Sequence, residues 1–152
     1  MKKRVLFLCT HNSARSQMAE GIMNYYFGDL YEAKSAGVEA SKVNPLAIEV
    51  LREMGIDISS HYSKHVDKFL NESFDFIITV CDHAREHCPY FPGGKAYIHK
   101  SFEDPSRVEG TYEEKKAVFR KVRDEIKEWL EENFKDGKEP EPENIGEIFI
   151  IS

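Results

Sequence analysis

Val5-Leu6-Phe7-Leu8 is a short continuous apolar run that stops at a polar Thr/His/Asn/Ser stretch. From Gln17 to Phe27 the residues Met18, Ile22, Tyr25 and Tyr26 recur at helical spacing. The pattern predicts strand, loop, helix. Ala33 to Val38 reads as a second strand ending at Gly37, and Pro45 suits the first turn of a helix over Leu46 to Met54 that Gly55 stops. Phe74 to Val80 is almost unbroken apolar sequence, as expected of a parallel strand buried on both faces, and Lys95 to His99 reads as a fourth strand. Thr111 to Phe134 carries Val118, Phe119, Val122, Ile126, Trp129 and Leu130 on one stripe, behind a Thr111/Glu114 capping box. A long amphipathic helix is expected there. Trp129 and the Tyr25-Tyr26 pair are read as core residues.

Strands alternating with helices imply right-handed crossovers and a parallel sheet. The expected fold is therefore α/β: a single three-layer domain over residues 1–134, with a four-stranded parallel sheet flanked by helices on both faces. Residues 135–152 are expected to form a polar linker and a short apolar tail, Ile145 to Ile151. A chain of 152 residues buries about 70% of its unfolded surface around one core.

Charge and cysteine usage narrow the function. The formal net charge of -6 argues against a nucleic-acid footprint, so any anion site has to be local. The apolar run behind Met1-Lys2-Lys3-Arg4 breaks too early for a signal peptide, and no stretch approaches membrane-spanning length. Three cysteines, an odd count without an export signal, suit a reducing compartment where thiols do chemistry; the cytoplasm is expected.

Cys9-Thr10-His11-Asn12-Ser13-Ala14-Arg15-Ser16 joins the first strand to the first helix, where anions bind at strand carboxyl ends in open α/β sheets. A helix N-terminus offers unpaired N–H groups and partial positive charge, which favour a thiolate and hold a tetrahedral oxyanion. Arg15 can clamp two oxygens, Ser13 and Ser16 can donate hydroxyls, and Asn12 tolerates a left-handed backbone. A lone cysteine at a strand end is ordinarily a small core hydrophobe; Arg15 and the serines around Cys9 favour a nucleophile. Cys81 follows the third strand and Cys88 lies seven positions on. With His83 and His87 they are conceivable zinc ligands, but all four crowd into eight residues, so no metal is expected.

The cysteine loop resembles the signature of low-molecular-weight tyrosine phosphatases and their relatives, the thioredoxin-coupled arsenate reductases. The likeness extends over Met1 to about Phe134 through Ser16-Gln17-Met18-Ala19-Glu20-Gly21, Ser35-Ala36-Gly37, Gly55-Ile56-Asp57-Ile58-Ser59 and Val122-Arg123-Asp124-Glu125-Ile126. It implies that Cys9 attacks arsenate, with Asp104 of Asp104-Pro105 as general acid. It further implies that Cys81 then attacks the Cys9 sulfur and expels arsenite. Cys88 next resolves the Cys9–Cys81 bond, leaving a Cys81–Cys88 disulfide for thioredoxin or a glutaredoxin-type reductant. No resident cofactor is implied beyond that external thiol, and neither nucleic acid nor membrane is an expected partner.

If residues 81–88 are helical when reduced, seven residues rise about 10 Å, whereas a disulfide needs Cα atoms within about 7 Å. A conformational change on oxidation is expected. The sequence also departs from the family. Ala14 stands where many such reductases have another cysteine and His11 where the family usually has Gly. Lys64 replaces an Asp that in some relatives helps bind potassium near the Asn12, Glu20 and Ser35 positions; a lysine ammonium there implies no metal. Two other readings stay open: a phosphatase using Cys9, Arg15 and Asp104, and a cysteine phosphocarrier or anion-binding switch.

Overall fold

In a computed structural model describing residues 1–81 and 91–140, strand β1 (Lys3–Cys9) is followed by α1 (Arg15–Phe27), β2 (Tyr31–Gly37) and α2 (Pro45–Arg52). Then come β3 (Phe74–Thr79), β4 (Gly94–His99) and α3 (Tyr112–Phe134). The four strands form one all-parallel sheet in the order β2-β1-β3-β4. Because β1 has β2 on one side and β3 on the other, the chain reverses its winding there. The crevice at such a switch point, outside the strand carboxyl ends, is where α/β sheets bind ligands.

Alternation within β1 explains the layers. Val5, Phe7 and Cys9 face a core built with Met18, Ala19 and Ile22 of α1, Val50 and Leu51 of α2, and Phe119, Val122, Ile126 and Leu130 of α3. Leu6 and Leu8 face the other side, against Val66 and Phe69 of a 3-10 turn over Val66–Phe69, and against Phe91. The sheet is thus covered on both faces, as its apolar strands require.

Local signals at the helix ends are satisfied as the residue types predict. Asn44 caps α2 by accepting from the Leu46 N–H, with Pro45 at its start. Gly55, at φ 82°, ends the turn beyond that helix. At α3 both halves of the Thr111/Glu114 capping box are present. Phe134 closes the far end of α3, fully buried with edge-on contacts to Tyr31, Phe76 and Trp129.

One expectation about the core fails. Tyr25 and Tyr26 are 55% and 43% exposed, because the buried part of α1 ends at Met23 and its last turn is left to solvent. Tyr26 instead meets the Lys127 ammonium on α3. Trp129 is partly buried against the main core, as expected. Beyond Phe134, a 3-10 turn over Lys135–Gly137 leads to Lys138, whose carbonyl accepts from Tyr31 Oη, and to Glu139, which pairs with Lys3. The apolar tail, Ile145 to Ile151, lies outside the described residues. Among the described residues no helix is long and apolar enough to cross a membrane.

Candidate active site

The loop from Cys9 to Ser16 bends around the open N-terminus of α1. Ala14 precedes the helix and no side chain caps it, so its first amides remain available to an anion. Asn12 takes the left-handed backbone, φ 52°, that its short polar side chain tolerates. Gly37, the last residue of β2, faces the same loop. A Cβ built there would sit 2.6 Å from Thr10 O, 2.8 Å from Cys9 O and 2.9 Å from Asn12 N, so only glycine lets the loop approach this closely.

Hydrogen-bond direction is fixed through this loop by one unambiguous donor. The backbone N–H of Lys64 donates to Asn12 Oδ1 at 2.8 Å, and Gln17 Nε2 donates to the same oxygen at 2.9 Å. Asn12 Nδ2 therefore points the other way and donates to Ser16 Oγ at 2.8 Å. Ser16 Oγ lies 2.9 Å from Cys9 Sγ. Its single hydrogen is free to donate to the sulfur. Cys9 is a buried free thiol.

Arg15 is 3% exposed, and its Nη1 donates to Phe102 O at 3.2 Å. Its Nη2 lies 3.5 Å from Asp104 Oδ2. Asp104 also caps a short 3-10 turn, Pro105–Arg107, by accepting from Ser106 N at 3.0 Å and Ser106 Oγ at 2.6 Å. The carboxylate that caps this turn also lines the same pocket as Cys9. Cys9, His11, Ser13, Ala14, Arg15, Asp104 and Ser106 line a single small cradle. Thr10 is buried below the rim and accepts through its carbonyl from the Glu39 N–H.

Beneath the cradle lies a charged cluster that motif reading had only partly joined to it. Ser35 Oγ donates to Glu20 Oε1 at 2.6 Å, and the Lys64 ammonium sits 3.8 Å from that oxygen while donating to Tyr62 O at 2.9 Å. Burial pushes the Lys64 ammonium down from the usual lysine range, with Glu20 opposing. His61 Nε2 is 3.6 Å from Glu20 Oε2, and its Nδ1 is 3.0 Å from Gln17 Oε1. Gln17 Nε2 already faces three acceptors, Asn12 O, Asn12 Oδ1 and Tyr62 O, so His61 Nδ1 carries a hydrogen. Burial also lowers the His61 pKa, again against Glu20. An ammonium beside the Glu20 carboxylate does not fit a potassium ion among the same groups. Among the described residues, no cluster of three or more His, Cys, Asp or Glu could hold a metal.

Cys81 is placed by the sheet. Register pairs Leu8 with Thr79, the Val80 N–H donates to Leu8 O at 2.9 Å, and Cys81 Sγ lies 3.8 Å from that carbonyl. Cys9 thus ends β1, and Cys81 follows the end of its neighbour β3 by two residues. Cys81 is disulfide-bonded, whereas Cys9 is free. Cys88 and the conformational change expected of 81–88 fall outside the described residues. Gln17, His61, the Phe102 carbonyl and the close approach at Gly37 had not been singled out from the sequence for the roles they play here. Asn-Ser-Arg spacing hints at a cradle, but nothing local says which distant loop closes it.

Residues 4–140 match the low molecular weight phosphotyrosine protein phosphatase family. The chain is 51% identical over 125 residues to an arsenate reductase of Halalkalibacterium halodurans, covering 82% of this chain and 90% of that protein. It is 45% identical over 136 residues to an arsenate reductase of Bacillus subtilis, covering 90% and 98%. Among solved structures it resembles an arsenate reductase in the phosphate-binding state, with TM-score 0.73 and 34% identity over 87% of this chain and 95% of that one. It also resembles a thioredoxin-dependent arsenate reductase of Corynebacterium glutamicum, with TM-score 0.62 and 29% identity over 86% and 61%.

Proposed function

This chain belongs to the low molecular weight phosphotyrosine protein phosphatase family, and from that premise we propose that it reduces arsenate to arsenite. The observation that carries the reading is the shared cradle: a free Cys9 thiol, Arg15 and Asp104 converge there, while Cys81 follows the adjacent strand. Cys9, as the thiolate supported by Ser16, attacks arsenic. An oxygen of arsenate leaves as water, taking its proton from Asp104. Arg15 and the amides at the start of α1 hold the remaining oxygens.

Reduction follows when the Cys81 thiolate attacks the Cys9 sulfur. The sulfur–arsenic bond breaks with its electron pair on arsenic, so arsenate(V) departs as arsenite(III) and a Cys9–Cys81 disulfide forms. Cys88 then attacks the Cys81 sulfur, releasing Cys9 as thiolate and leaving Cys81–Cys88 for an external dithiol of thioredoxin or glutaredoxin type. A Cys81 that is disulfide-bonded while Cys9 is free supports the last state of that sequence. We place the reaction in the cytoplasm, where such reductants operate. No resident cofactor takes part, and Lys64 supplies the positive charge among Asn12, Glu20 and Ser35.

The second reading, a phosphatase, is favoured by Asp104 lining the same cradle as Cys9, because phosphoester cleavage uses Cys9, Arg15 and Asp104 alone. Single turnover with arsenate and with p-nitrophenyl phosphate, followed by thiol counting, separates the two. Wild type should lose two thiols per arsenate reduced, as a two-electron disulfide requires. Cys9→Ser should lose both reactions. Cys81→Ser should lose arsenate turnover and keep phosphoester hydrolysis; equal loss of both would make Cys81 structural and overturn the relay.

A further inference from the structure

We propose that His11 is an oxyanion-binding residue that reads substrate charge, with its protonated ring acting as a second cation beside Arg15. The inference deepens the proposed function and rests on the cradle being an oxyanion site. His11 lines the same cradle as Cys9 and Arg15, yet the chemistry above gives it no part.

The residue is held at the rim from two sides. Ser63 Oγ donates to His11 O at 2.8 Å, and Ser63 Oγ in turn accepts from the Ser41 N–H at 2.9 Å. On the other side, the Glu39 N–H donates to Thr10 O at 2.9 Å, so the segment bearing Glu39 is tied to the residue before His11. That tie brings Glu39 Oε2 within 3.5 Å of His11 Nδ1. With Nδ1 turned to a carboxylate, Nε2 is the ring nitrogen left for an oxyanion at the rim. A carboxylate partner at Nδ1 orients the ring and leaves Nε2 for the cradle.

The charged and ionisable groups that the described residues bring to the cradle come from separate segments. Glu39 comes from the segment after β2, Arg15 from the start of α1, and Asp104 from the segment after β4 with Arg107 Nε 3.6 Å behind it. Cys9 lies at the base. With Arg15 as the fixed cation among the described lining residues, an added charge at His11 strengthens binding of a tetrahedral dianion. The ring is half-exposed, so the gain is modest and falls with salt.

Sulfate is the probe, because it stays doubly charged across the pH range in which histidine titrates and cannot be reduced. By linkage, if protonated His11 binds sulfate better, saturating sulfate must raise the His11 titration midpoint. NMR titration of the imidazole in the reduced wild-type protein should show that upward shift. The sulfate Kd of wild type should rise about tenfold between about pH 5.5 and 8, near the low end of usual coupling factors. In His11→Gln, which keeps a donor and loses the charge, the rise should shrink to a small part of the wild-type change. A midpoint unmoved by sulfate, or a variant with the wild-type pH slope, would overturn the proposal. Neither measurement involves turnover, so a chain that shows the shift but does not reduce arsenate would lose its proposed activity while His11 keeps its role.

Discussion

The carboxylate of Asp104 caps a turn through Oδ1 and faces Arg15 through Oδ2, which makes Asp104→Asn an unusually clean substitution. Asparagine accepts at an N-cap as well as aspartate does, so the turn survives while the proton donor is lost. Phenyl phosphate, whose leaving group needs that proton, should be cleaved about 10²–10⁴ times more slowly. p-Nitrophenyl phosphate, with its better leaving group, should suffer less; an equal fall for both substrates would assign Asp104 a purely structural role. Cys9, Arg15 and Asn12 were legible in the sequence because their chemistry depends on neighbours within one loop. Gly37 was legible only as a strand end. The reason it must be glycine lies in a backbone contact with Cys9, Thr10 and Asn12, which sequence spacing does not encode. Gln17 and His61 were missed for the same cause: each acts through a loop more than forty residues away in the chain.

Helices and strands were read well where their signals are local: caps, an apolar stripe, a glycine stop. The failure at Tyr25 and Tyr26 shows the limit, since periodicity marks a face but not how far along the helix its burial extends. What docks α3 onto α2 was likewise invisible, because it is a set of charges from two separate elements. Arg120 binds both oxygens of Glu53, Arg123 Nη1 donates to Oε1 at 2.9 Å, and Lys116 lies 3.7 Å from Oε2. The Arg120 hydrogen bonds, more than any other group, hold the Glu53 pKa at about 2. Its folded value is below its unfolded one, so this stabilisation is complete above the ordinary glutamate range and is lost as pH falls toward about 2. The side chain is 34% exposed, and screening keeps the effect small. Glu53→Gln should cost about 1 kcal/mol in denaturant unfolding at neutral pH. The difference from wild type should fade in acid and in high salt, whereas a constant deficit across pH would point to lost packing.

The molecule as a whole assembles its cradle from segments that meet only when the sheet is formed. The cysteine loop comes from the end of β1, Arg15 from α1, the Asn12 contact from Lys64, and Asp104 from beyond β4. Nothing equivalent exists in the unfolded chain, so an oxyanion binds the native state and stabilises it by mass action. At inorganic phosphate of one hundred times its Kd the gain is about 2.7 kcal/mol. For a chain of this size each kcal/mol moves Tm by about 2–4 °C, which predicts a rise of about 5–10 °C in reduced protein. Because phosphate is held largely by Arg15 and the amides of α1, Arg15→Ala should unfold at the same temperature with and without phosphate. Ser13→Ala, which removes one hydroxyl from the rim, should keep most of the shift. An equal rise in Arg15→Ala and wild type would mean that phosphate acts as a general stabilising salt and not through the cradle.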